Sequence, residues 1–459
     1  MNQILFQPTD VLFFRDGRPM GGSLTGHGAA WPLPHIINNA IHAALHRAEL
    51  KGVHAHRQDV RNGRSFTDNR PRRFGSVVSA GPYPVRTGQA GEQWFFARPA
   101  DAQQGGATAI TLIPVFARAP GLSSLPKPLL YSVGNCNPPS KAAKVESWLS
   151  TKAFENYLKS ADVPLNPGEF SFDTDISDTE HQIGIGISPD TGAQNGEQFY
   201  SAHYLRIRDH WRLGILASGQ DKELSANSGD LIATLLSDKQ QIVVGGQQRI
   251  CTAARSAGAK TAPLPRGLSK GFSQRDGRYL VKWVLLSPAI WPEIGGQSKD
   301  KRSMTGHPGG WLPNWISEKD GAVLLRSVNS EERRRRRGLR ASGKGYASNE
   351  NSGEIRAQLV AAIIPKAVTV SGWSLGDPSL GDDGQAGAKP AHLAVPAGAV
   401  YYFETESAED AETLADALNW HGPADGRVIC NRRSTLMGEK GFGLGVCGSW
   451  NFIPLSNQQ

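Results

Sequence analysis

The chain has 459 residues and a formal net charge of +8, so it is long enough for two or three domains and is basic overall. Its four cysteines are scattered without a CxxC pair, which argues against a zinc ribbon, a thiol-redox motif and a disulfide scaffold. The N terminus shows no basic segment followed by an apolar core, and no stretch approaches membrane-spanning length. We therefore expect a soluble cytoplasmic protein.

The first half of the chain predicts one complete α+β motif. Residues 3–14 predict a strand with a bend at Pro8, and apolar residues at helical spacing predict an amphipathic helix over 34–50. Further strands are predicted at 92–99, 107–116, 181–188, 198–209, 211–217 and 240–249, and a second helix at 229–238. With the insertions removed, the order is βαββαβ.

The second half repeats this order after a stretch rich in Gly, Pro and basic residues, 252–278. Strands are predicted at 279–288, 367–375, 398–404 and 441–452. Helices are predicted at 311–321 and at 407–419, where Ser407 is the candidate N-cap. The predicted fold class is α+β, with two ferredoxin-like (RRM-like, βαββαβ) domains in tandem and large insertions.

The predicted boundaries are an N-terminal domain at 1–251, a basic linker or loop at 252–278, and a C-terminal domain at 279–459 that ends in a glycine-rich loop. Basic residues cluster at 47–86, 252–278 and 326–345, which leaves the remainder net acidic. Such clustering is expected when a protein grips a polyanion at chosen places. The open sheet face of the predicted motif is a common RNA platform, so nucleic acid is the leading partner.

The C-terminal stretch GEKGFGLGVCGSW, residues 438–450, has two interpretations. It is not a dinucleotide fingerprint, because too little chain follows it for a βαβ unit. Lys440, Gly441, Gly443 and Gly445 could instead face an anion through backbone N–H groups. The alternative is a last strand whose glycines allow crowded packing.

Several arginines are candidate RNA contacts, each with a plainer alternative. Arg15 and Arg18 flank an Asp-Gly pair and suit bidentate phosphate binding, or form a turn with a local ion pair. Arg72 and Arg73 follow Pro71 near two phenylalanines, as in single-stranded RNA sites or in a solvated basic loop. Arg249 follows a double glycine and supplies charge beside an accessible backbone, or is a surface arginine.

The sharpest charge feature is a run of five arginines in a Gly/Ser-rich context. It predicts an arm that contacts phosphates with little sequence preference, or a disordered loop without a specific role. The run consists of Arg333, Arg334, Arg335, Arg336 and Arg337. His35, His42 and His46 share one helix stripe, but spacing suggests no third ligand, so a polar helix face is favoured over a metal site. No metal or cofactor is predicted.

Several motifs together resemble one known family. They are FQPTDVLFFRDGRP at 6–19, WPLPHIINNAIHAAL at 31–45, GGQQR at 245–249, KWVLLSP at 282–288, VPAGAVYYFE at 395–404 and GFGLGVCG at 441–448. In this order they are similar to the third Cmr subunit of type III-B CRISPR effector complexes, a member of the RAMP superfamily. The LFFRDGRP element is the most specific, whereas the glycine loop is shared across the superfamily.

The resemblance implies a subunit that binds the 5′ repeat-derived tag of the crRNA and does not cut target RNA. It implies contacts with the large cyclase/polymerase subunit and the adjacent backbone RAMP subunit, with target RNA met indirectly. It also implies that the terminal glycines lie against RNA or pack between the two half-sheets.

Two rival functions differ in class from this expectation. Some RAMP relatives process repeat RNA without metal, using a His or Tyr general base, and His27 is the candidate here. A nucleotide-dependent enzyme has little support, because the sequence has no P-loop, zinc motif or nucleophile elbow.

Overall fold

The computed structural model describes residues 1–15, 25–28, 30–50, 77–89, 91–105, 108–111, 113–114, 125–134, 147–159, 163–164, 166–219, 230–256, 262–295, 306–326, 353–375, 386–424 and 426–452. The helices are α1 Pro34–Arg47, α2 Thr151–Lys159, α3 Asp173–Ile176, α4 Leu231–Leu235 and α5 Ala408–Leu418. A 3-10 turn covers Gly438–Lys440. Within these ranges, no helix has both the length and the apolar character needed to cross a membrane.

The strands of the first half are β1 Asn2–Pro8, β2 Thr25–Gly28, β3 Val77–Gly88, β4 Gly91–Ala97, β5 Ala102–Gly105, β6 Thr108–Thr111, β7 Ile113–Pro114, β8 Val133–Gly134, β9 Trp148–Ser150, β10 Val163–Pro164, β11 Phe170–Ser171, β12 Ser177–Ile187, β13 Gln194–Ile207, β14 Trp211–Gly219, β15 Gln240–Val243 and β16 Ile250–Arg255. Those of the second half are β17 Ser273–Arg275, β18 Arg278–Leu285, β19 Ala357–Ile363, β20 Val368–Val370, β21 Trp373–Leu375, β22 Ala386–Ala388, β23 His392–Ala394, β24 Val400–Thr405 and β25 Gly445–Ser449.

Two large antiparallel sheets organise the molecule. The first has eight strands in the order β11-β9-β4-β3-β14-β1-β16-β15. The second has five strands: β17-β18-β24-β19 form a path, and β25 pairs with β18. The protein is thus a mixed α/β structure with large antiparallel sheets and few helices.

The two sheets stack with helices outside and between them. Helices α1 and α4 cover one face of the first sheet, around a core that includes Ile4, Phe6, Ile41, Leu213 and Ile215. Helix α5 covers the outer face of the second sheet, around Trp283, Tyr401, Phe403, Leu414 and Leu418. The inner faces share a third core, to which α2 contributes; it includes Leu216, Phe154, Val284, Tyr402 and Val446. Strands buried on both faces explain the long apolar runs in this sequence.

Local signals in the sequence account for the two longest helices. Helix α1 begins with Pro34 in its first turn and buries Ile37, Ile41 and Leu45 at helical spacing. Helix α5 begins after Ser407, whose Oγ accepts a hydrogen bond from the Asp410 backbone N at 3.0 Å. The helix predicted at 34–50 therefore forms but ends at Arg47, and the predicted N-cap at Ser407 is confirmed.

Several sequence predictions differ from the structure, and two of them concern a predicted helix and a predicted domain boundary. The helix predicted at 311–321 is wrong: this segment forms turns, because its backbone pairs with the residues that follow it, with Ile316 bridging to Val323 and Ser317 N donating to Ala322 O at 2.9 Å. Strand β16 runs to Arg255, four residues into the predicted linker, because it pairs with β1 up to that residue. The remaining domain limits stay predictions.

Candidate nucleic-acid interface

The first glycine loop, residues 245–249, joins β15 to β16 and lies on the segment that follows β1. Gly246 N donates to Phe13 O at 2.8 Å, and a Cβ added to Gly245 would lie 2.6 Å from the same oxygen. Gly245 also has φ +77°, in the left-handed region. The close backbone approach and the left-handed φ together explain the glycine at position 245. Gly245, Gln247 and Gln248 remain exposed.

Arg249 is held at the end of this loop by three kinds of contact. Its guanidinium carbon lies 4.9 Å from the centre of the Tyr204 ring, its Nη1 lies 3.8 Å from Asp10 Oδ2, and its Nη2 donates to Gln247 Oε1 at 3.3 Å. Tyr204 OH donates to the same Gln247 oxygen at 2.8 Å. A guanidinium fixed against an aromatic ring is preorganised for a phosphate or a stacked base.

The structure brings the segment of Arg15 to the same place. Phe14 N donates to Gly28 O at 2.9 Å, and Phe13 O accepts the hydrogen bond from Gly246 N in the first glycine loop. Arg15 follows directly and is exposed. Two sequence-predicted arginines, Arg15 and Arg249, thus lie on neighbouring segments at one end of the first sheet. Arg15 lies in the segment after β1, and Arg249 lies between β15 and β16. Side chains in such connecting segments can point away from the sheet.

The terminal glycine loop, residues 437–445, has a different environment. Gly441, Gly443 and Gly445 are all buried. A Cβ on Gly441 would lie 2.8 Å from Ser79 O in β3, one on Gly443 would collide with Ser434 N, and one on Gly445 would collide with the Trp283 indole. Gly441 and Gly443 have φ +92° and +77°. Packing against both sheets is thus a sufficient reason for these glycines. Their predicted contact with RNA stays a prediction.

Lys440 joins the terminal glycine loop to helix α1. Its Nζ donates to Asn39 Oδ1 at 2.9 Å. The ring of His35 lies 6.0 Å from that of Phe442. Burial and the nearby Lys440 cation lower the pKa of His35 to about 4, so this imidazole is neutral at physiological pH. The hydrogen bond between Lys440 and Asn39 supports the interpretation of the histidine stripe on α1 as a polar helix face.

The structure describes only some of the other residues that the sequence analysis singled out. Arg18, Arg72 and Arg73, and the run at 333–337, lie outside the described residues. His35, His42 and His46 are half-buried on α1. Among the described side chains, no group of three or more His, Cys, Asp and Glu is assembled as a metal site.

A buried polar cluster between the sheets was missed by the sequence analysis. Lys282 and Asp101 are 2% and 0% exposed, with Nζ 3.4 Å from Oδ2. Tyr157 OH and Tyr402 OH donate to the Asp101 carboxylate at 2.5 and 3.1 Å. Burial lowers the pKa of Lys282, against the effect of the Asp101 charge. A lysine inside the apolar run YLVKWVLL was a usable signal, because a fully buried lysine is rare unless it is paired.

These features define the class: an α/β protein of large antiparallel sheets with two arginines presented at one sheet end. Residues 4–450 match the family CRISPR-associated protein (Cas_Cmr3). The chain belongs to this family, which confirms the resemblance found in the sequence.

Similar solved structures share little sequence with the chain. Two cryo-EM structures of the type III-B Cmr-beta, bound to cognate target RNA with and without AMPPnP, are 11% and 12% identical to it. Each alignment covers 87% of this chain and 86% of that chain, with a TM-score of 0.37. The crystal structure of the Csm3-Csm4 subcomplex in the type III-A CRISPR-Cas interference complex is 9% identical, with coverages of 87% and 92% and a TM-score of 0.29. No curated protein matches the chain.

Proposed function

We propose that this chain is a non-catalytic crRNA-binding subunit of a type III-B Cmr effector complex. Membership of the Cas_Cmr3 family over residues 4–450 is the observation that carries the proposal. The subunit holds the 5′ repeat-derived tag of the crRNA. It bridges the large cyclase/polymerase subunit to the adjacent backbone RAMP subunit, and it meets target RNA indirectly.

The fold proposed with this function is a tandem of two ferredoxin-like domains. The strand order supports it: β3-β14-β1-β16 in the first sheet corresponds to β19-β24-β18-β25 in the second. In each set the first strand in the chain lies between the third and the fourth, as βαββαβ topology requires. Helices α1 and α4 belong to the first set, and α5 belongs to the second.

The RNA contact is proposed at the end of the first sheet, where Arg15 and Arg249 lie. Arg249 is partly exposed, with 26% of its side chain accessible, and the amides of Gln247 and Gln248 are exposed beside it. Guanidinium groups neutralise phosphates, whereas amides can read base edges. Lys440 adds a cation at the terminal loop, and the three buried glycines contribute by packing.

Basic residues outside the described ranges are also proposed as RNA contacts. Arg18 follows Arg15 within the same motif, Arg72 and Arg73 follow α1, and the arginines at 333–337 act as a phosphate-contacting arm. Arms of this composition contribute salt-dependent affinity and little sequence preference.

Gel-shift titrations with tag-bearing and tag-scrambled crRNA at two salt concentrations test the proposal. Tighter binding of the intact tag and a steep loss of affinity with salt are expected. Arg249→Gln should lower the slope of log affinity against log salt by about 0.7, the value for one phosphate contact on a single strand. Arg356→Gln, an exposed arginine paired with Glu406 on the second sheet, is the matched control. Equal binding of both RNAs would refute the tag-specific role.

A further inference from the structure

The first glycine loop presents two neighbouring glutamines to solvent. Gln247 and Gln248 are both exposed, and their backbones both lie in the left-handed region, with φ of +55° and +52°. A hydrogen bond from Val244 N to Arg249 O at 2.8 Å closes the loop around them. Both amides are therefore carried on one short turn, beside the Arg249 guanidinium.

The amide oxygen of Gln247 is occupied from two sides. Tyr204 OH donates to Gln247 Oε1 at 2.8 Å, and Arg249 Nη2 donates to the same atom at 3.3 Å. A guanidinium carries donors and no acceptor, so the amide atom that faces it must be the oxygen. This contact fixes which way the amide is turned. Its Nε2, with two hydrogens, is the atom left to meet a ligand.

Gln248 is not restrained in this way. Its exposed side chain makes no hydrogen bond to any other residue that the structure describes. Rotation about its last side-chain torsion exchanges the positions of the amide oxygen and nitrogen. Gln248 can therefore offer a donor or an acceptor to a ligand, whereas Gln247 offers donors alone.

A group that offers donors alone discriminates between purines. A free glutamine amide pairs with the N6/N7 edge of adenine, because that edge has one donor and one acceptor. Gln247 cannot form this pair while its oxygen accepts from Tyr204 and Arg249. The O6/N7 edge of guanine consists of two acceptors, which suits the hydrogens of Nε2 and the neighbouring guanidinium. Proteins read such edges in unstacked, single-stranded RNA.

We propose that Gln247 is a specificity-determining residue that selects guanine over adenine at one nucleotide of the crRNA tag. Tyr204 is the positioning residue that holds the Gln247 amide in its donor-outward orientation. Arg249 supplies affinity through its charge, and Gln247 supplies discrimination between bases. The inference rests on the proposed function, because it names the base that the proposed RNA contact prefers.

Filter binding of the full-length chain tests this assignment with crRNAs in which each tag position in turn carries guanosine, inosine or adenosine. At one position, guanosine and inosine should bind about tenfold more tightly than adenosine, because inosine keeps O6 and N7 and lacks only the N2 amine. Gln247→Glu should reverse this order, because a carboxylate offers only acceptors and can accept from the N6 amine of adenine.

Two further variants separate base reading from charge and from structure. Gln248→Glu is the matched control: it adds the same charge one residue along the loop, so it should weaken binding of all three RNAs alike and keep their order. Tyr204→Phe keeps the ring beside Arg249 but removes the hydroxyl that holds Gln247. The ratio of guanosine to adenosine affinity should therefore fall by about threefold.

The outcomes distinguish this inference from the proposed function. Absence of a guanosine preference at every tag position, or an unchanged order in Gln247→Glu, would overturn the inference. If the intact tag is then still preferred over a scrambled tag, the proposed function stands without it. If intact and scrambled tags bind equally, the proposed function fails as well.

Discussion

The two glycine loops have opposite surroundings. The first glycine loop at 245–249 is largely exposed and ends in Arg249, which rests on Tyr204. The terminal glycine loop at 437–445 is largely buried, and Ser79, Ser434 and Trp283 pack directly against its glycines. A glycine motif therefore indicates that another group lies close to the backbone. It does not indicate whether that group is a ligand or another part of the protein.

The difference also separates the roles of the two loops. Because the first loop is fixed by backbone contacts to Phe13, its side chains are left to face solvent or a ligand. The terminal loop, by contrast, uses its backbone to join β25 and the 3-10 turn to the first sheet. Substitutions in the terminal loop should therefore act on stability, whereas substitutions in the first loop should act on binding.

The largest expected effect is on the terminal loop. Gly443→Ala should lower the free energy of unfolding by about 3–5 kcal/mol, because it adds a Cβ against the Ser434 backbone at a left-handed φ. Gly246→Ala is the matched control: its Cβ meets the movable Phe13 ring at 2.9 Å, and about 1 kcal/mol is expected. Denaturant unfolding measures both, and equal losses would remove the contrast between the loops.

A smaller effect concerns His35, which packs beside the terminal loop. Its pKa is about 4 when folded and about 6.5 when unfolded, so the unfolded chain binds the extra proton between these values. The stability contributed by neutral His35 is full above pH 6.5 and falls by about 3 kcal/mol as the pH approaches 4. The His35→Phe variant should not show this loss of stability at low pH. Denaturant midpoints measured at pH 7 and pH 4.5 test the difference. An identical pH profile for His35→Phe and the wild type would contradict it.

On the first loop, Arg249→Gln should weaken crRNA binding by roughly tenfold, about 1.4 kcal/mol, with little change in unfolding. Its ion pair with Asp10 is partly exposed and long, which limits its contribution to stability. Filter binding and thermal unfolding on the same preparation measure the two effects. A stability loss larger than the binding loss would make Arg249 a structural residue.

The smallest effect is expected for Lys440→Met. Loss of the bond to Asn39 should cost about 0.5–1 kcal/mol. Removal of the cation should also raise the pKa of His35, because Lys440 is the second cause of its lowered value. An NMR titration of the His35 ring measures this shift, and an unchanged or lower pKa would show that Lys440 does not act on His35.

The sequence predicted elements whose signals are local. Helix α1 and the Ser407 cap depend on neighbours a few residues away. Strand β3 was missed because Pro82 and Pro84 interrupt it, and proline argues against a central strand. In the structure, the two prolines lie opposite the part of β14 where the pairing register shifts, between Gly214 and Leu216.

The candidate site shows the same limit. Both glycine loops were located from sequence, but their exposure depends on partners hundreds of residues away, such as Ser79 for Gly441. The Asp101–Lys282 pair joins residues 181 positions apart. Only tertiary packing decides such contacts, so a residue pattern alone left each glycine interpretation open.

Photo-crosslinking of crRNA carrying thiouridine in its 5′ tag, within an assembled complex, tests the central claim most directly. Mass spectrometry of the crosslinked peptides should identify segments around residues 11–15 and 245–249 of this chain. Tag crosslinks confined to residues 437–445, or to another subunit, would contradict the assignment of the exposed loop as the surface that meets RNA.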